Sequence, residues 1–121
     1  MTLQELYHAI DGDYEQAMRV LRIEKLLDKH IRKLAKNGVV DALLAAGEGM
    51  EPTALFEAAH AAKGVCGNLG LTKLAAASDI AEEFRPGNPR RMSDGEVHDR
   101  RNAIGALYRK TAEGIAQYEN G

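Results

Sequence analysis

Apolar residues recur at three- and four-residue steps in one segment of this chain after another. No run of four or more residues shows strand alternation bounded by turn residues. A helix built on that pattern carries one apolar stripe, and the stripe is buried only by packing on other helices. One long case is "DGDYEQAMRVLRIEKLLDKHIRKLAKNG", residues 11–38, where Asp13 offers an N-cap, Gln16 sits at the capping-box position and Asn37 and Gly38 signal the stop. Between these signals Ala17, Val20, Leu21, Ile23, Leu27, Ile31 and Leu34 predict one long amphipathic helix. Ahead of it, "TLQELYHAI" makes a short helix with Leu3, Leu6 and Ile10 on one face, suited to covering one end of a bundle.

The segment "VVDALLAAGEGMEP" predicts a short extra helical piece and then a turn at Gly47, Gly49 and Pro52, with Pro52 at the first position of the next helix. That helix is expected to run to Leu69 and stop at Gly70. Thr72 then caps "TKLAAASDIAEEF", whose Leu74, Ala77, Ile80, Ala81 and Phe84 share a side. "RPGNPRRM" reads as a basic loop, and "SDGE" opens the last helix with Ser93 and Glu96 at capping-box spacing. Val97, Ile104, Tyr108, Thr111, Ile115 and Tyr118 form its stripe. Four substantial helices with short additions predict an all-α fold, an antiparallel four-helix bundle. One domain over residues 1–121 is expected, with its core spanning about 13–119.

Composition narrows the partners. The 121 residues are 45% hydrophobic with mixed charges and a net charge of −2, so no basic bias points to nucleic acid. The N-terminus lacks a basic stretch followed by an apolar run, and no stretch approaches the ~18 apolar residues of a membrane span, which predicts neither secretion nor membrane insertion. Cys66 is the one cysteine, so no disulfide forms within a chain, and a reducing cytoplasm fits. His8, His30, His60 and His98 show no metal spacing, and no glycine-rich phosphate loop is present; neither a metal nor a cofactor is expected.

The chemistry-bearing stretch is "EAAHAAKGVCGNLGL", residues 57–71. At about 100° per residue, Phe56, His60, Gly64 and Gly67 fall on one stripe, while Leu55, Ala58, Ala59, Ala62, Cys66 and Leu69 fall on the opposite, inward side. Lys63 borders the outer stripe, with Glu57 and Asn68 on its other flank. Glycines beside an outward imidazole leave room for another protein to approach the ring. A neutral imidazole is a nucleophile suited to accepting a phosphoryl group, whose charge an ammonium at Lys63 offsets. Phe56 admits both a docking and a core reading. Arg85, Arg90, Arg91, Arg100 and Arg101 either steer an acidic partner or only solvate a loop and a helix start.

"HAAKGVCGNLG" resembles the signature of histidine phosphotransfer domains, His followed by Lys three residues on, Gly four on and Gly ten on: here His60, Lys63, Gly64 and Gly70. The flanking "EAA" and "LGLTKLA" are similar too. The resemblance implies a four-helix bundle whose exposed His60 accepts a phosphoryl group from a receiver-domain aspartate and passes it to another receiver. Lys63 would neighbour the phosphate, and Phe56, Glu57, Gly64, Gly67 and Asn68 would meet the partner. The implied partners are response-regulator receiver domains or a hybrid sensor histidine kinase, which supply the metal and catalytic machinery. The chain itself is then a monomeric phosphocarrier rather than an enzyme. The connection "AAGEGMEP" looks longer than in the family, and "RPGNPRR" more basic. Two other readings stay open: a helical module that binds a receiver or kinase without accepting phosphate, and the phosphoacceptor domain of a chemotaxis-type kinase.

Overall fold

The computed structural model describes residues 1–77 and 79–121, the side chain of residue 77 excepted. Among the described residues the chain is all-helical, without strands. Its segments are α1 (Leu3–Ala9), α2 (Tyr14–Leu21), α3 (Glu24–Leu34), α4 (Val39–Gly49), α5 (Pro52–Asn68), α6 (Thr72–Ala77), α7 (Ile80–Glu83) and α8 (Asp94–Asn120). Their starts follow local chemistry. Thr2 with Glu5, and Ser93 with Glu96, close reciprocal capping boxes on α1 and α8. The Asp13 carboxylate accepts from the Gln16 amide ahead of α2, and Glu51 accepts from Thr53 and Ala54 ahead of Pro52. Thr72 is the first residue of α6 rather than its cap.

Three expectations from the sequence are corrected. The long helix over 13–38 is broken: Arg22 takes a left-handed conformation at φ 67° and Ile23 is extended, so α2 and α3 meet at an elbow. Ala17, Leu27, Ile31 and Leu34 are buried as expected, Leu21 is half-buried, but Val20 and Ile23 are exposed. Tertiary packing outweighs the continuous stripe. The Asp13 amide donates to the Gly70 carbonyl at 2.7 Å, which pins α2 on the end of α5, while α3 packs on α8; one straight helix does not serve both.

The turn expected at Gly47 and Gly49 is helix instead, because Gly47 makes room for Arg101. A Cβ on Gly47 would stand 2.9 Å from the Arg101 side chain, whose Nε donates to the Leu44 carbonyl at 2.8 Å. Only Met50, left-handed at φ 57°, and Glu51 lie between α4 and α5, so the connection is compact. The helix expected from 72 to 84 is divided into α6 and α7. Leu74, Ile80, Ala81 and Phe84 are buried as expected, and Ala77 lies outside the described side chains.

Packing surrounds α5 on its inner side, with α4, α6, α7 and α2 against it, while α8 lies against α4, α6 and α1. The buried core draws on every one of these, including Leu6, Leu27, Leu43, Leu55, Ile80 and Ile104. The far end of α5 is held by one long-range and one local hydrogen bond. The buried Tyr7 hydroxyl donates to the Leu69 carbonyl at 2.6 Å, and the Leu71 amide donates to the Cys66 carbonyl at 2.8 Å. Gly70, at φ +68°, ends the helix as its sequence position suggested.

The elbow is braced from α8. Asp28 accepts from the Tyr118 hydroxyl at 2.5 Å and from Arg32 Nε at 2.8 Å, and the Arg32 guanidinium lies 4.9 Å from the Tyr118 ring centre. The Tyr118 hydroxyl first, and Arg32 second, hold the Asp28 carboxyl below its usual value of 3.8. A carboxyl lowered in the folded state stabilises the fold above about pH 4 and loses that contribution as the pH falls. Asp28→Asn is therefore expected to lower the Tm by about 2–4 °C at pH 7. In thermal melts the difference from wild type should vanish on acidification.

Candidate functional site

Helix α5 exists because its inner face is buried: Leu55, Ala59, Ala62 and Cys66 are buried, as is Leu69 at its cap. Ala58, expected among them, is half-buried. The opposite face carries His60, with Glu57, Lys63, Gly64 and Asn68, all exposed, and Gly67, which is half-buried. The residues assigned from the sequence thus share one side of one helix. Phe56 resolves its two readings by serving in part both: it is half-buried against the core, and its ring stacks on the His60 imidazole with centroids 5.6 Å apart and planes 19° apart. The imidazole therefore has one face covered and its outward edge open.

The helical glycines of α5 differ from the tightly packed ones and resemble Gly49, which is equally open. Gly12, Gly47, Gly70 and Gly114 are packed so closely that a Cβ would stand 2.7, 2.9, 2.2 and 2.4 Å from its nearest neighbour. Gly64 and Gly67 have nothing within 4 Å of that position. No internal packing asks for glycine there, and each costs helical stability of about 0.8–1 kcal/mol relative to Ala. Their bare backbone lies in the open, one and two turns from His60.

The other reactive groups are set apart from this stripe. Burial pushes the Cys66 thiol up to about 11, so it remains protonated and unreactive at neutral pH. His8, His30 and His98 are exposed on α1, α3 and α8. Among the described residues, no group of three or more His, Cys, Asp or Glu is arranged to hold a metal ion. Likewise, no helix among them is long and apolar enough to cross a membrane.

The arginines weighed as a steering patch are mostly occupied. Arg85 pairs with Glu82 at 2.5 Å, Arg100 with Asp79 at 2.7 Å and Arg101 with Glu48 at 2.9 Å, while Arg90 pairs with Asp94. Arg91 contributes its backbone amide to Glu83. These residues chiefly hold the loop and the start of α8 in place. The sequence reading missed a different basic surface, the outer side of the α2–α3 elbow. Two signals lay in the sequence, the run of basic residues over 19–36 and Leu26 falling off the stripe that Leu27, Ile31 and Leu34 define.

Comparison with protein-family models, with curated proteins and with solved structures returns no match.

Proposed function

We propose that this chain is a histidine phosphotransfer domain. Its particular role is that of a cytoplasmic phosphorelay carrier, taking a phosphoryl group on His60 from one receiver aspartate and giving it to another. The observation that carries the reading is the open space around His60, bounded by two glycines that the fold itself does not require. The packing pattern supports it as well. Helix α4 neighbours α5, α5 neighbours α6 and α7, α6 neighbours α8, and α8 returns to α4, a closed ring of four. The two-residue link from α4 to α5 makes those two antiparallel neighbours. We read this ring as the four-helix bundle, with α4 taking the corner that the sequence reading had given to residues 13–38, and α1 to α3 closing one end.

In the transfer step, the lone pair of one imidazole nitrogen attacks the phosphorus of the partner's aspartyl phosphate. The nitrogen–phosphorus bond forms as the phosphorus–oxygen bond breaks, and its electron pair leaves on the aspartate carboxylate. The second ring nitrogen keeps its proton, so the step needs no base from this chain. The Phe56 ring restricts the tilt of the imidazole, which favours a fixed line of attack. Lys63, one turn along, offsets the charge of the bound phosphoryl group. The partner contributes the metal.

The direct test is to incubate the protein with phosphorylated receiver domains. A label that is lost in acid and retained in alkali is expected, and a label with the opposite stability would contradict phosphorylation of His60. A second result separates docking from folding. Gly64→Ala should raise stability by about 0.5–1 kcal/mol in urea melts. The same variant should reduce kcat/KM for transfer about tenfold, because the methyl group enters the partner's path. Unchanged transfer would remove the steric role of this glycine.

A further inference from the structure

Among the described residues, three of the four exposed large hydrophobic ones lie within seven positions at the elbow: Val20 at 42%, Ile23 at 57% and Leu26 at 39% of full exposure. An exposed apolar cluster is the informative exception on a soluble surface. The sequence had assigned Val20 and Ile23 to the core, and the left-handed turn at Arg22 places them outside it. Charge makes the cluster distinctive. Residues 19–36 hold seven Lys and Arg against two acids, in a chain whose net charge is −2, so the rest of the molecule is markedly acidic. Ile23 and Leu26 line one surface depression together with Lys25, Lys29 and Lys33. Among the described residues these three lysines make no ion pair, unlike Arg85 and Arg90 of the basic loop.

The elbow is continuous with the histidine stripe. Lys33 and His30 share a second groove with Val65 and Asn68 of α5. Asn68 flanks the stripe about 12 Å along the helix from His60, well within the footprint of one standard interface. We propose that the α2–α3 elbow is a docking surface for an acidic, partly apolar face of the protein that exchanges phosphoryl groups with His60. The identity of that partner as a receiver domain rests on the function proposed above. Unpaired lysines beside aliphatic side chains supply the two parts of such an anchor: steering by charge at long range and burial of Ile23 and Leu26 on contact. An anionic membrane is the less suited occupant, because the residues that line the depression include no Trp or Phe to sit among lipid headgroups.

The experiment uses the full chain and a panel of purified receiver domains from the source genome. Binding and phosphoryl transfer are measured separately at low and high salt. Two double variants are compared with wild type, Ile23→Ser with Leu26→Ser and Lys29→Glu with Lys33→Glu, after melts confirm that both fold. The expected result is a rise of about tenfold or more in Kd and KM for both, with kcat unchanged and the salt dependence weakened in the charge variant. Wild-type binding and KM in both variants would overturn the dock while leaving the role of His60 intact. Receiver binding that is lost in the variants, with no label on wild type, would leave the dock standing and remove the phosphocarrier reading. No receiver binding to wild type would remove both. Binding of wild type to phosphatidylserine vesicles, lost in the variants while receiver binding persists, would reassign the surface to lipid.

Discussion

His60→Gln eliminates phosphoryl acceptance and leaves the fold intact. Glutamine keeps a polar side chain of similar reach and good helix propensity, but its amide nitrogen has no lone pair free for attack on phosphorus. His60 is exposed, and its ring contact is the stack on Phe56, so the stability change should stay within about 0.5 kcal/mol. Labelled receiver mixed with the variant should therefore yield no label above background, with an unchanged far-ultraviolet spectrum. Retained labelling would move the phosphoryl site to another residue.

Gly70→Ala is expected to have the opposite character, a severe loss of stability at a position distant from the chemistry. Its φ of +68° costs an L-residue about 1–2 kcal/mol, before any contact is considered. The new Cβ would also stand 2.2 Å from the Asp13 carbonyl oxygen and 3.1 Å from the Ala17 amide, both backbone atoms at the start of α2. Relieving that clash moves α2 off the end of α5 and breaks the Asp13–Gly70 hydrogen bond. It also disturbs the neighbouring Tyr7–Leu69 bond. A loss of about 3–5 kcal/mol follows, a large part of the 5–15 kcal/mol typical of a domain. Urea melts would measure it directly. Since Gly64→Ala is expected to stabilise, the two variants bracket the difference between a glycine kept by the fold and one kept by a partner.

Much of the chain was legible as sequence because its signals are local. Asp13, Ser93 with Glu96, Pro52 and Gly70 mark element ends through their own backbone chemistry, and all four do so in the structure. The inner face of α5 followed from helical periodicity alone, Ala58 being the one residue displaced to half-burial. What was not legible depends on contacts distant in sequence. Arg22 carries no local signal for a left-handed turn, and it breaks the helix because α2 and α3 are held by different neighbours. Gly47 reads as a turn residue until Arg101, far along the chain, is seen packed on it. Four of the five arginines that read as a free basic patch are paired, Arg100 and Arg101 with acids distant in sequence, Asp79 and Glu48. Lys25, Lys29 and Lys33 at the elbow, which drew no notice as sequence, make no ion pair among the described residues.

Of the site residues, His60, Lys63, Gly64 and Glu57 needed only the helical wheel. The stacking of Phe56 on His60 follows from i, i+4 spacing, although periodicity did not decide how deeply the ring is buried.

The measurement closest to the central claim is heteronuclear NMR of the wild-type chain after transfer from a phosphorylated receiver, with the labelled imidazole assigned by residue. The account predicts a nitrogen–phosphorus coupling on the His60 ring, with the rings of His8, His30 and His98 unchanged. Coupling at one of those three rings, or no coupling after exposure to receivers that bind the chain, would contradict it.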